Sequence, residues 1–274
     1  SSLFLSSGAE PNLIFVLYAS GSMQFEITPE TYRFAALTNT ANIVFAFPPA
    51  DGYYGGNAFN KRVVAPGDRS VYGKLFRSPQ INASYYNPAK LYKPWIKTDG
   101  TGLMADADIT CSLHNPMNTT FTGDKKCRKL TEEATRKFNN IDSSWGICSM
   151  TNKTTKTIGC STLGTDSTWK YYPATYYVFN GDINNQVDIW DTQKYSEVRI
   201  QKIKNSTAGH NYTGGAARTD CGELKADNTR ICPYEIEIQN FANWYTYYRS
   251  RVLTAKAGIG RAFAQQKDGI RVGF

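Results

Sequence analysis

The segment that most constrains the fold is residues 12–18, NLIFVLY, where an apolar run from Leu13 to Leu17 stops at Ala19-Ser20-Gly21-Ser22. A strand with one wet face alternates apolar and polar residues. An unbroken apolar run instead predicts a strand buried on both faces, as in a parallel sheet. Such a strand needs helices to cover it, and the one convincing long helix is predicted over residues 236–266. There Phe241, Trp244, Tyr245, Tyr248, Val252, Ala255, Ile259 and Phe263 recur at three- and four-residue steps and form an apolar stripe. Arg249, Arg251, Lys256 and Arg261 lie largely off that stripe. Ile270-Arg271-Val272-Gly273-Phe274 then begins a second strand. Strand, helix, strand is the unit of a parallel α/β sheet.

More than 200 residues separate the first strand from its helix, and they hold all six cysteines and most of the Asn, Pro and Gly. Short β-prone pieces occur there: NIVFAF, KRVVA, TYYVF and SEVRIQKI, with TEEATRKFNN predicted as a short helix. The expected architecture is therefore an α/β core interrupted by a large, irregular, mostly β insertion. One full strand, a helix and a strand start do not complete a sheet. The remaining strands are expected from a longer protein or, less readily, from another chain.

The cysteines stand at 111, 127, 148, 160, 221 and 232, with no C-x-x-C pair and no His at a zinc spacing. Six cysteines allow 15 connectivities. Short spacings favour local closure as Cys111–Cys127, Cys148–Cys160 and Cys221–Cys232, each worth roughly 3 kcal/mol by chain entropy. Disulfides imply an oxidising compartment. The net charge of +8 is scattered, as in Lys61-Arg62, Lys125-Lys126 and Arg128-Lys129, rather than gathered on one stripe. That argues against nucleic-acid binding and for a generally basic surface. No run approaches the ~18 apolar residues of a membrane span, and the chain opens at Ser1-Ser2 without a charged leader.

Few residues suggest catalysis. His114 and His210 each sit in a polar segment, far from any nucleophile elbow or H-E-x-x-H pattern. DGYYGGNAF at 51–59 lacks a phosphate-loop spacing and reads as a tyrosine-displaying loop. Asp182, Asn184, Gln186 and Asp188 alternate as in a calcium loop, but Val187 and Gln193 replace the expected glycine and bidentate acid. Asp106 and Asp108 are similarly short of partners. Five sequons begin at Asn82, Asn118, Asn152, Asn205 and Asn211, a number that an Asn- and Thr-rich chain reaches by chance. Ser20 and Ser22 remain, two hydroxyls at the carboxyl end of a parallel strand, where α/β sheets bind ligands. Hard cations usually require at least one carboxylate as well.

With these elements placed, PNLIFVLYASGSMQ resembles the opening of a von Willebrand factor A domain, whose metal-ion-dependent adhesion site begins D-x-S-x-S. More narrowly, the chain resembles the N-terminal region of the PilC/PilY type IV pilus tip adhesins. The matching stretches are SYYNPAKLYKPWIKTDGTG (84–102), YYPATYY (171–177), residues 217–263 including QNFANWYTYYRS, and GIRVGF. The resemblance implies a partial A-like, Rossmann-type core in three parts. Residues 1–24 would supply the first strand and serine loop, 25–233 the disulfide-stapled insertion, and 234–274 the helix and the next strand. It also implies a non-enzymatic, secreted protein at the tip of a type IV pilus (fimbrium), exported through the periplasm. Its roles would be pilus biogenesis, cell adhesion and twitching motility, with minor pilins and a host-cell or abiotic surface as partners. The alternative within the same family is a purely structural cap on the minor-pilin tip complex. Of the adhesion site only Ser20 and Ser22 transfer, because Tyr18 stands where the family's first Asp belongs. No cofactor is expected, beyond weak magnesium or calcium at those two serines.

Overall fold

The computed structural model of the chain describes residues 12–14, 21–27, 45–47, 71–118, 120–137, 146–152, 157–162, 168–202, 210–264 and 271–273. In chain order the first elements are strand β1 (Asn12–Ile14), helix α1 (Val71–Phe76), and strands β2 (Ser112–Leu113), β3 (Cys127–Arg128) and β4 (Ala134–Lys137). Next come β5 (Gly146–Asn152), β6 (Thr157–Thr162), β7 (Thr168–Tyr171), β8 (Thr175–Phe179), helix α2 (Gln186–Trp190) and β9 (Tyr195–Arg199). Strands β10 (Asn211–Gly215) and β11 (Thr229–Pro233), helices α3 (Tyr234–Tyr247) and α4 (Arg251–Ala264), and strand β12 (Arg271–Gly273) complete the order.

β1 and β12 pair in parallel, with Leu13 opposite Val272. A parallel pair needs a crossover, and here nearly the whole chain forms it. The other described pairs are antiparallel and two-stranded: β2–β3, β4–β7, β5–β6, β8–β9 and β10–β11. Two-stranded ribbons are marginal alone, so packing against other elements must hold them. β8 shows how. Its alternate side chains point to opposite faces, so Tyr176 joins one buried cluster while Tyr177 and Phe179 join another. The second cluster also takes Ile27, Leu75, Phe76 and Trp190. The first is built on α3, where Trp244 meets Tyr85 edge-on at 4.8 Å between centroids and Phe241 lies 4.8 Å from Tyr86.

The single helix predicted over 236–266 is two helices. Each has fourteen residues, and the chain leaves helical geometry at Tyr248, whose φ is −137°. The break is held by contacts to distant parts of the chain as well as by a local one. Arg249 is buried and turns back to donate to the Tyr245 carbonyl at 2.9 Å and the His114 carbonyl at 3.1 Å. The Arg251 amide donates to the Phe25 carbonyl at 3.1 Å, and the Ser250 carbonyl then starts α4 by accepting from Thr254 at 2.9 Å. The apolar stripe is reset by the break. In α4 the buried residues are Leu253 and Ala257, not the expected Val252 and Ala255.

TEEATRKFNN, predicted helical, contains β4, which pairs with β7 through Thr135 opposite Lys170. That segment has no apolar stripe to bury, so a strand partner satisfies its backbone better than an exposed helical turn would. The chain between β1 and α3 is stapled by Cys111–Cys127 and Cys221–Cys232, with Cα atoms 5.0 and 4.7 Å apart. Cys148 lies opposite Cys160 in the β5–β6 register, and their side chains fall outside the described residues. KRVVA, the 51–59 loop and Lys61-Arg62 also lie outside them.

Candidate functional site

The serine loop was the one constellation with a ligand chemistry to test. Tyr18 and Ser20 lie outside the described residues. Gly21–Gln24 form a single 3-10 turn, in which the Ser22 carbonyl accepts from Phe25 N–H at 3.2 Å. The next residues decide what this turn supports. Glu26 is 1% exposed, and one carboxylate oxygen accepts from the Ala46 and Phe47 amides at 2.8 and 3.0 Å. The other accepts from Arg249 Nε at 2.6 Å, and Arg249 is also 1% exposed. The acid nearest the serine turn is thus committed to a buried ion pair rather than offered to a cation. Among the described residues, no three His, Cys, Asp or Glu gather where they could hold a metal.

Around Glu26 the segment 25–27 is clamped to the helix break. Arg251 donates to the Ile27 carbonyl through Nε and Nη2 at 2.9 and 2.7 Å, and its guanidinium sits 5.3 Å from the Phe25 ring centre. Asn82 donates to the Glu26 carbonyl at 3.0 Å. The Arg249 guanidinium lies 4.2 Å from the centre of the Tyr245 ring, a cation–π arrangement in a dry site. These contacts join the end of the serine turn to the α3–α4 junction and to residues 46, 47 and 82.

A second buried charge centre lies nearer the start of α3. Arg218 donates to Glu237 at 2.6 Å, to Asp220 at 3.0 Å and to the Pro88 carbonyl at 3.0 Å. Tyr86 donates to the other Glu237 oxygen at 2.7 Å. Burial raises the Glu237 carboxyl above the ordinary range, while Arg218 and the Tyr86 hydroxyl pull it down. A carboxylate with a guanidinium and a phenol on its two oxygens is hydrogen-bonded as a buried charge must be.

The histidines also resolve. His114, expected in a polar loop, is buried, and its Nδ1 is 2.9 Å from the Tyr245 hydroxyl. That hydroxyl also accepts from Arg128 Nε at 3.0 Å. His210 packs edge-on against Tyr212 at 4.6 Å. The Asp182–Asp188 alternation serves local turns. Asn185 caps α2 by accepting from Val187 N–H, and Asp188 accepts from the Asp182 amide at 2.9 Å. Asp106 accepts from Asn243 and Asp108 closes a turn with Thr110. Asn82 is fully buried, so that sequon presents no acceptor. Sequence reasoning missed Glu26, Arg218, Glu237 and the burial of Arg249. A weak signal existed in Phe25-Glu26-Ile27 and Tyr248-Arg249-Ser250, where one charge is flanked by residues that bury.

The described geometry is therefore one of internal clamps. Against known proteins, the chain is 25% identical over 270 residues to the type IV pilus biogenesis factor PilY1 of Pseudomonas aeruginosa (strain UCBPP-PA14). That match takes in 98% of this chain and 16% of the length of that protein. No protein-family model matches the chain. No solved structure matches it.

Proposed function

We propose that the chain is a non-enzymatic component of a type IV pilus, acting in pilus biogenesis and adhesion. The observation that carries this is the similarity to a pilus biogenesis factor across 98% of the chain. The chain spans 16% of the length of that protein, so the role is proposed for this chain and not carried over from the whole relative. Two disulfides suit an exported, extracellular setting, and among the described residues no helix is long and apolar enough to cross a membrane.

In this reading residues 1–24 and 234–274 belong to an A-like domain, and 25–233 form an insertion presented at the pilus tip beside minor pilins. The parallel pairing of β1 with β12 supports that division. Ser20 and Ser22 are then a relic of an adhesion site with Tyr18 in place of its acid. Two neutral hydroxyls would hold magnesium or calcium weakly. The tip location, twitching motility and attachment to cells or abiotic surfaces follow from the same reading. A purely structural cap remains the second reading, favoured by the two buried clamps.

The test is deletion of the encoding gene, with pili counted by electron microscopy and attachment scored on complementation. Loss of pili is expected, with rescue by the wild-type gene and equally by a Ser20→Ala, Ser22→Ala version. Normal piliation and attachment in the deletion strain would sink the proposal. Failure of the serine variant alone would reinstate the metal site.

A further inference from the structure

A cleft of about 590 Å³ opens at the junction of α3 and α4, floored by Tyr92, Trp244 and Tyr248 and edged by Lys90, Arg251 and Arg261. Its lining contains three cations and no carboxylate. Two of the chain's buried guanidiniums, Arg218 and Arg249, meet acids, and a third, Arg77, meets the Gly73 and Ala46 carbonyls. Of the three cleft cations, Arg251 donates to the Ile27 carbonyl and Arg261 to the Tyr248 hydroxyl. Among the described residues none of the three forms an ion pair. With no acid paired to them among the described residues, three cations around this concave surface repel one another and focus a positive potential into the cleft.

We propose that this cleft binds an acidic segment of a protein partner, with carboxylates at the cationic edge and an apolar or aromatic side chain on the Tyr92–Trp244–Tyr248 floor. The volume suits a few residues of extended peptide. The apolar floor favours peptide over a free inorganic anion, which would use the edge alone. Arg261 is exposed and presents a planar guanidinium suited to carboxylate oxygens, Lys90 is exposed and adds a second donor, and Arg251, held on the Ile27 carbonyl, adds its charge. Charge and aromatic floor define the occupant, whether or not the chain serves a pilus.

The experiment uses the whole chain and a fluorescein-labelled peptide, Gly-Glu-Phe-Glu-Gly-Ser, with a lysine-for-glutamate peptide, inorganic phosphate and a short oligothymidine as comparators. The acidic peptide should bind at least about tenfold more tightly than the lysine peptide, a difference of about 1.4 kcal/mol. Its affinity should weaken as salt rises past about 0.15 M. The double variant Lys90→Glu, Arg261→Glu alters two exposed side chains, so near-ultraviolet circular dichroism should match the wild type while peptide affinity falls by at least about tenfold. Equal binding of the two peptides, unchanged affinity in the folded variant, or tighter binding of phosphate or oligothymidine would each overturn the proposal.

Discussion

α3 and α4 are equal in length and separated by three residues, yet eleven of fourteen residues are buried in α3 and two in α4. The difference shows that α3 organises the irregular chain around it, while α4 buries Leu253 and Ala257 alone. α3 buries polar side chains as well as rings. Asn240 accepts from the Tyr92 amide at 2.8 Å and donates to the Lys90 carbonyl at 2.9 Å. Asn243 accepts from the Ala107 amide and donates to Asp106, each at 2.9 Å. Trp95 donates to the Tyr247 carbonyl, and Tyr247 to the Ala105 carbonyl. The irregular chain from 84 to 110 has few sheet partners for its backbone, and buried backbone groups must be paired. α3 supplies the pairing through side chains, much as a neighbouring strand would through its backbone.

The largest expected effect comes at the junction where the two environments meet. Arg249→Ala leaves Glu26 charged, buried and without its guanidinium, which should cost about 3–5 kcal/mol. Urea unfolding should report it as a lower midpoint. A variant as stable as the wild type would mean that the clamp does not hold α3 to the segment 25–27. Charge neutralisation gives a sharper reading: Glu26→Gln in the Arg249→Ala background should recover part of the loss, because no unpaired ion then remains.

How far the sequence discloses this contrast follows from what periodicity measures. Spacing locates helix within residues 236–266 and two apolar strand segments that the structure pairs in parallel at Asn12–Ile14 and Arg271–Gly273, because those signals are local and apolar. It does not show the break at Tyr248–Ser250. That break depends on Arg249 reaching Glu26, 223 residues away in sequence. The two charges look like surface residues until their partners are known. The same limit applies to His114, whose burial comes from Tyr245 across 131 residues. TYYVF and SEVRIQKI are legible as β8 and β9 since alternation and β-branched residues are enough there. TEEATRKFNN misleads because helix propensity without an apolar face yields to a strand partner. At the serine loop, sequence identifies the hydroxyls, whereas the commitment of Glu26 becomes visible only in three dimensions.

A smaller effect tests the claim that amides of α3 stand in for a sheet. Asn243→Ala removes the partner of the buried Ala107 amide and should cost about 1–3 kcal/mol. Thr254→Ala in α4 removes one hydroxyl bond to the Tyr248 carbonyl, formed at 2.8 Å by an exposed residue, and should cost less than about 1 kcal/mol. Equal losses in thermal unfolding would erase the distinction between the helices. Hydrogen exchange should separate the variants further. Asn243→Ala should speed exchange in the 104–110 segment, whereas Thr254→Ala should leave that segment unchanged.

The smallest effect has the opposite sign. Gly258 lies inside α4, where a Cβ would meet nothing within 4 Å. An alanine there gives up chain entropy only in the unfolded state and improves helix propensity, so Gly258→Ala should stabilise by about 0.5–1 kcal/mol. Gly214, in the β10 ribbon that packs beside α3, offers no such room. A Cβ there would fall 2.7 Å from Cys232 Sγ, within the disulfide that anchors β11. Gly214→Ala should therefore destabilise, since a cross-linked sulfur cannot swing aside. Opposite shifts in melting temperature for the two alanines are expected. Shifts of the same sign would show that the open side of α4 and the close-packed surroundings of α3 differ less than their burial indicates.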